Sequence, residues 1–354
     1  MNFKRNWYRG FCAAILAFPC WLGQAKAEQG QFDWPSVLMA RSDYLKLFAF
    51  AQTRPVGSDP YIASLQASLG LDRAAGAPPD LISASAYLFP KAVWDGNVNG
   101  GFPGSTILVG GIPFTIDPAE RATQGLVLGL TGTASARFFL DPGLTLSAEF
   151  LGSAARAPSL NTNVLSATGQ ICARQFLGHE DWLRTCVGMF AESRDLSETD
   201  TRFLSLEFGK LVSSNLGPSE VSATLRHSFD QAGEATSLSL SAETIRYGVG
   251  VFDATVDLGE NVSGRMNVIY GARVGWARQL FGNNTRLSVG TSYSAGVNVF
   301  DVPRQDVNTS VNLAMDFKSG ISVLASLGQN NSTVPAYSGS VISVSIDFSR
   351  LFLD

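Results

Sequence analysis

The sequence predicts an all-β fold, a transmembrane antiparallel β-barrel of about fourteen strands preceded by a short helical segment. Three observations carry this expectation. From about Ala84 onward one unit recurs some fourteen times, roughly ten residues alternating apolar with small or polar and then a turn, so that one face of each strand meets lipid and the other a polar lumen. The segment 337–350 shows it plainly, with Ile342, Val344, Ile346 and Phe348 on one face and Ser343, Ser345, Asp347 and Ser349 on the other. Secondly, the chain is 45% hydrophobic, yet nothing after the N-terminus is long enough for a spanning helix. A barrel explains this by spreading its lipid-facing residues over many short strands. Thirdly, the N-terminus reads as an export signal.

That signal covers residues 1–27. Lys4, Arg5 and Arg9 precede the apolar run 11–22, Pro19 and Gly23 break the run, and Ala25-Lys26-Ala27 forms a small-x-small cleavage site, so the mature chain is expected to start at Glu28. A membrane anchor needs about 20 uninterrupted apolar residues, more than are present. Cys20 is a poor lipidation site because Pro19 stands where a small residue is required.

Residues 28–80 form the helical segment. Residues 35–52 are helix-compatible, with Leu38, Tyr44, Leu45, Phe48 and Ala51 roughly on one side. Ser58-Asp59-Pro60 offers a cap and a first-turn proline for a second helix that carries Ile62, Leu65 and Leu69 and ends at Gly70. Ala74 to Pro79 is a linker. The expected product is a small helical pair, on the periplasmic side or lodged in the barrel mouth as a plug.

The barrel occupies 81–354. Its predicted strands are 84–93, 124–139, 144–156, 163–175, 183–191, 201–212, 220–229, 235–246, 249–258, 264–278, 285–299, 308–317, 321–328 and 337–350. Outer-membrane barrels alternate short periplasmic turns with longer external loops. With a periplasmic N-terminus, tight turns such as 141–143, 247–248 and 318–320 fall on the periplasmic side, and 94–123, the longest loop, falls outside. Alternation sends Leu126, Leu128, Leu130, Ala134 and Phe138 to lipid. It sends Arg137, Glu149, Glu207, Arg226, Glu243, Arg265, Arg273, Asp316 and Asp347 into the lumen, where charges of opposite sign offset one another. A soluble sandwich alternates too, but has fewer strands and less uniformly apolar outer faces. Phe352, close to the end of the last strand, resembles the aromatic of an outer-membrane recognition segment, although Leu353 and Asp354 follow it.

Candidate chemistry is sparse. Cys172 and Cys186 lie seven residues either side of His179, so a symmetric hairpin sets them opposite each other; with an oxidising periplasm this predicts a disulfide. Asp95-Gly96-Asn97-Val98-Asn99-Gly100 copies the first half of a calcium loop, but Thr106 occupies the position of its bidentate Glu, and turn formation explains the segment better. His227 and Ser228 are neighbours on one strand and point to opposite faces, which argues against a nucleophile–base pair. No metal-ligand cluster, cofactor motif or catalytic set emerges, and the chain reads as a non-enzyme. A net charge of −4 without a basic cluster excludes nucleic acid as a partner. The expected partners are outer-membrane lipids and, during biogenesis, the barrel assembly machinery.

A periplasmic helical segment, a first strand running into Trp94-Asp95-Gly96-Asn97-Val98-Asn99, and about fourteen strands together resemble the C-terminal barrel of the surface lipoprotein assembly modifier family. There an Asp-x-Asn-x-Asn stretch, here Asp95, Asn97 and Asn99, lies near the first strand. The resemblance implies an outer-membrane translocon with a secreted protein or lipoprotein client. The tetratricopeptide array usual in that family is replaced here by about 55 residues, enough for little more than one helical pair. The alternative is a passive porin, which needs only a wide polar lumen. An inward-folded 94–123 loop favours the porin, and an openable seam with the helical pair beside it favours the translocon.

Overall fold

The computed structural model describes residues 33–109, 112–178, 180–262, 264–297 and 302–347; the expected signal segment, His179 and Phe352 lie outside them. Among the described residues, fourteen antiparallel strands close into a barrel. They are β1 (Asp80–Asp95), β4 (Gly125–Asp141), β5 (Leu144–Ala157), β6 (Thr162–Gly178), β7 (Asp181–Arg194), β8 (Ser197–Ser214), β9 (Gly217–Asp230), β10 (Gly233–Arg246), β11 (Gly250–Gly259), β12 (Asn267–Leu280), β13 (Asn283–Val297), β14 (Pro303–Asp316), β15 (Ser322–Ser332) and β16 (Gly339–Asp347). Each overlaps a predicted segment. A small hairpin, β2 (Thr106–Val109) and β3 (Ile112–Thr115), lies in the loop after β1. Its strands are too short to register as alternation, which is why the sequence shows only a loop there.

Consecutive strands pair throughout, and β1 closes the cylinder against β16 from Lys91↔Asp347 to Trp94↔Val344. Because side chains alternate faces, this register fixes two surfaces at once. The outer one carries Leu126, Leu128, Leu130 and Phe138 on β4 and Leu204, Leu206 and Phe208 on β8, all exposed. On β8 that apolar stretch runs between outward-facing Arg202 and Lys210, the two ends of a hydrocarbon-thick belt. No described helix is long and apolar enough to cross a membrane; the strands do the crossing. A closed, even-stranded antiparallel barrel with an apolar outer wall is the architecture of Gram-negative outer-membrane proteins, and this chain is an outer-membrane β-barrel.

Cys172 on β6 and Cys186 on β7 are register partners with Cα atoms 4.1 Å apart, joined as a disulfide and buried on the inner wall beside Phe203. Cross-linking across a loop of this size restricts the unfolded chain by about 3 kcal/mol. Replacing both cysteines by serine is expected to lower the unfolding free energy of the lipid-folded barrel, measured by urea titration, by that order, with the wild-type protein under reducing agent giving the same loss.

Parity holds for the lumen set except at Arg265. That residue lies in the loop before β12, not on the strand, because its guanidinium is drawn to the neighbouring rim, 2.7 Å from Asp230 and 3.0 Å from the Gly233 carbonyl. The others stand on inward-facing positions. Glu149 accepts from Gln170 at 2.8 Å, Glu207 pairs with Arg184, Asp316 accepts from Ser322 at 2.7 Å, and Arg226 lies over the Phe203 ring. Arg273 and Asp347 keep the inward register of Thr255 and Ser322.

Candidate functional site

Among the described residues the helical segment holds three helices rather than a pair: α1 (Trp34–Met39), α2 (Asp43–Thr53) and α3 (Asp59–Ser68). The run expected to be one helix over 35–52 breaks at residues 40–42. Ser42 is extended (φ −80°, ψ 124°) and caps α2, its hydroxyl accepting from the Leu45 N–H at 3.3 Å. The break is held by the barrel, since the Arg41 and Ser42 N–H groups donate to the Glu243 carboxylate at 3.0 and 3.3 Å. Asp59 and Pro60 open α3 as expected, and Gly70, with φ +67°, follows its end.

These helices contact inner-wall strands β8 to β12 and sit inside the barrel at the end bearing the short turns, the periplasmic end in barrels of this kind. Their large apolar groups pack mainly on one another: Trp34 lies 5.1 Å from Phe50 and 5.2 Å from Tyr61, and Val37, Leu45, Ala49 and Phe50 are fully buried. The wall holds them both through apolar positions at the same depth, among them Phe139, Ile245 and Val251, which are fully buried, and through polar contacts.

The polar part of that grip comes from a ring of charge at one depth. Arg137, Arg174 and Arg184 on one arc, Glu220, Glu243 and Asp253 on the next, and Arg286 beyond them each stand three or four positions in from the short-turn end of their strands. The three carboxylates occupy register-paired positions, Glu220↔Glu243 and Glu243↔Asp253. Like charges directly opposite on adjacent strands repel. The plug supplies the compensation. Besides the two N–H groups on Glu243, the Ser42 hydroxyl donates to Glu220, and the Arg41 guanidinium lies 3.4 Å from Asp253. Arg286 binds the Met39 carbonyl at 3.1 Å and also faces Asp253 at 3.5 Å. The α2 N-terminus, with its exposed N–H groups and partial positive charge, therefore points at carboxylates.

On the basic arc the contact is aromatic. Tyr44 stacks between Phe176 and Trp182, centroids 5.6 and 5.8 Å away, and Arg174 covers both the Tyr44 and Trp182 rings at 5.5 and 5.6 Å. Burial pushes the Tyr44 phenol up to about 12 against the opposing pull of Arg174 and Arg137, so it stays neutral in the lumen. Trp182 lies flat on β8 only because position 209 is glycine; a Cβ there would come within 2.2 Å of the indole. Arg137 donates to the Ser68 carbonyl at 2.9 Å, and the Gly143 N–H to Gly70 at 3.0 Å, fastening the far end of the helices.

The opposite mouth is shaped by the loop after β1. Val98 is fully buried against Val127, Ala155, Ala157 and Val164 of the inner wall, so this stretch folds inward. Asp95 meets Arg194 at 2.9 Å, and Arg194 also binds Glu192 and the Asn97 carbonyl. The Asn99 side chain accepts from the Thr123 N–H at 2.9 Å and donates to the Arg121 carbonyl at 2.8 Å. Asn97 donates to the Gly101 carbonyl at 3.0 Å. Asp95, Asn97 and Asn99 thus fix a loop, and no metal-holding group of His, Cys, Asp or Glu exists among the described residues. Farther along, Ile107 and Ile116 pack on Val334 and Ala336 of the loop before β16. Replacing Arg194 by Ala removes three ties and leaves Asp95 partly buried without its partner, at about 1–3 kcal/mol of local stability. The expected result is faster cleavage of residues 96–124 by external protease in intact cells, with barrel folding unchanged.

His227 faces outward near the outer edge, its ring 4.6 Å from Phe229 and its nitrogens on Thr236 and Glu234. Ser228 points inward and donates to the Ala235 carbonyl, and Asp230 pairs with Arg265. The three are not brought together. Sequence reasoning missed Arg41, Ser42, Tyr44, Glu220, Asp253 and Arg286. A signal for the wall members existed: inward parity combined with a constant distance from the short turns.

No protein-family model and no curated protein matches the chain. Among solved structures it is similar to Pseudomonas aeruginosa OccK9 (10% identity, 75% of this chain and 97% of that one, TM-score 0.40). It is also similar to CdiB from Escherichia coli (10%, 81% and 70%, 0.42) and Pseudomonas putida OprB (9%, 74% and 93%, 0.42). The likeness is one of general architecture.

Proposed function

We propose that this protein is a non-enzymatic, plug-gated conduit of the outer membrane, a translocon-like component that passes a protein or lipoprotein segment when its N-terminal helices withdraw. The observation that carries this reading is the nature of the grip. Part of what holds the helical unit in the lumen is a set of hydrogen bonds and ion pairs to Glu220, Glu243, Asp253 and Arg286, groups that water can satisfy once the helices leave. The segment from Trp94 to Asn99 supports the likeness to surface lipoprotein assembly modifier barrels, and the small size of the helical unit points to a client captured by the barrel rather than by a repeat array.

A second reading, a passive solute channel, is favoured by the inward fold at Val98, which narrows the outer mouth as a constriction loop does. Single-channel recording of the refolded mature chain, with and without residues 28–80, separates the two. A closed intact barrel that opens on deletion supports the gated conduit. Steady, large conductance from the intact chain overturns it in favour of the solute channel.

A further inference from the structure

The plug uses its socket incompletely. Asp253 is 7% exposed, yet its Oδ1 accepts no hydrogen bond, and the Arg41 guanidinium stands off at 3.4–3.5 Å with its side chain half exposed. Strong guanidinium–carboxylate contacts close to about 2.7–2.9 Å. The buried indole N–H of Trp182, in the aromatic slot beside Tyr44, has no acceptor among the described residues. Buried polar atoms left without partners are rare enough to require a reason. Here one such atom, the Trp182 N–H, flanks the occupant at the aromatic slot, and on the acidic arc Asp253 meets the Arg41 and Arg286 guanidinium groups only at 3.4–3.5 Å. The socket offers more than residues 41–44 take up.

We propose that this socket is a recognition site for a cationic–aromatic peptide segment, and that residues 41–44 are its built-in, deliberately imperfect occupant. The ligand class follows from the wall. Glu220 and Glu243 take hydroxyl and backbone N–H donors at a helix start, Asp253 takes a guanidinium or ammonium immediately before it, and Phe176, Trp182 and Arg174 take a ring three positions after that cation. A segment that closes the gap to Asp253 and brings an acceptor to the Trp182 N–H outcompetes Arg41 and Tyr44, and the plug is displaced by mass action. Arrival is expected from the short-turn side, the end at which the plug sits. This rests on the plug-gated reading above and names what opens the gate.

The test uses the full mature chain in planar bilayers with a synthetic peptide of residues 33–53 as probe, added to each side in turn. A second probe is an alanine-based helix carrying only the Arg-Ser-x-Tyr start. Both are expected to raise the frequency of channel opening at least tenfold from one side only. The same peptides with Arg41→Glu and Tyr44→Ala changes are expected to do nothing. Equal opening by altered and native peptides overturns the proposal. So does silence from both native probes in a barrel that opens when residues 28–80 are removed. A barrel that stays closed on that deletion overturns the gating reading itself.

Discussion

Glu243→Gln is expected to raise the open fraction of the intact barrel by about tenfold to a hundredfold. Glu243 accepts the N–H groups of both Arg41 and Ser42, and a hydrogen bond to a charged group contributes about 1.5–3 kcal/mol against about half that for a neutral acceptor. Each 1.4 kcal/mol is a tenfold change in an equilibrium. The substitution keeps the size of the side chain and removes one of three mutually repelling carboxylates, so the wall itself is not destabilised and folding yield should be unaffected. The measurement is conductance of the full mature chain. An open fraction equal to wild type would mean that the grip resides in Tyr44 and the Arg137 and Gly143 contacts instead, and Tyr44→Ala would then be the opening change.

Leu206→Arg is expected to cost about 2–4 kcal/mol of barrel stability in lipid. Leu206 faces outward midway along β8, opposite Leu225 and flanked by Leu204 and Phe208, at the centre of the apolar stretch between Arg202 and Lys210. A charge there has no partner and no water. Asn308→Arg, exposed on the inward face of β14, should change stability by less than about 0.5 kcal/mol, since the lumen is polar and wet. Urea titration of both variants in the same lipid checks the difference. A larger loss from Asn308→Arg than from Leu206→Arg would mean that the two faces had been assigned the wrong way round.

Both arguments depend on faces, and the faces were legible before any coordinates. Alternation is local, because each strand residue is bound to the opposite face from its neighbour whatever the strand pairs with. So the fourteen segments, the outward leucines of β4 and the inward charges other than Arg265 followed from residue order. The opposition of Cys172 and Cys186 did too, because a tight hairpin relates its own two strands symmetrically. The helix start at Ser42-Asp43 carried a capping signal that the longer apolar run obscured.

The socket could not be read that way. Glu220, Glu243 and Asp253 sit on three strands, and they meet only because register and strand length put them at one depth. Arg286 joins them across the curve of the closed cylinder, and Arg41 and Ser42 reach them from a segment some two hundred residues earlier in the chain. The sequence by itself determined a barrel, its two faces and a short helical segment ahead of it, since these depend on periodicities of two and 3.6 within single elements. Only the tertiary structure decided that the helices lie inside, that the loop after β1 folds inward at Val98, and which charges grip the plug. Those contacts are made by closure, and closure brings together residues that nothing in their local order relates.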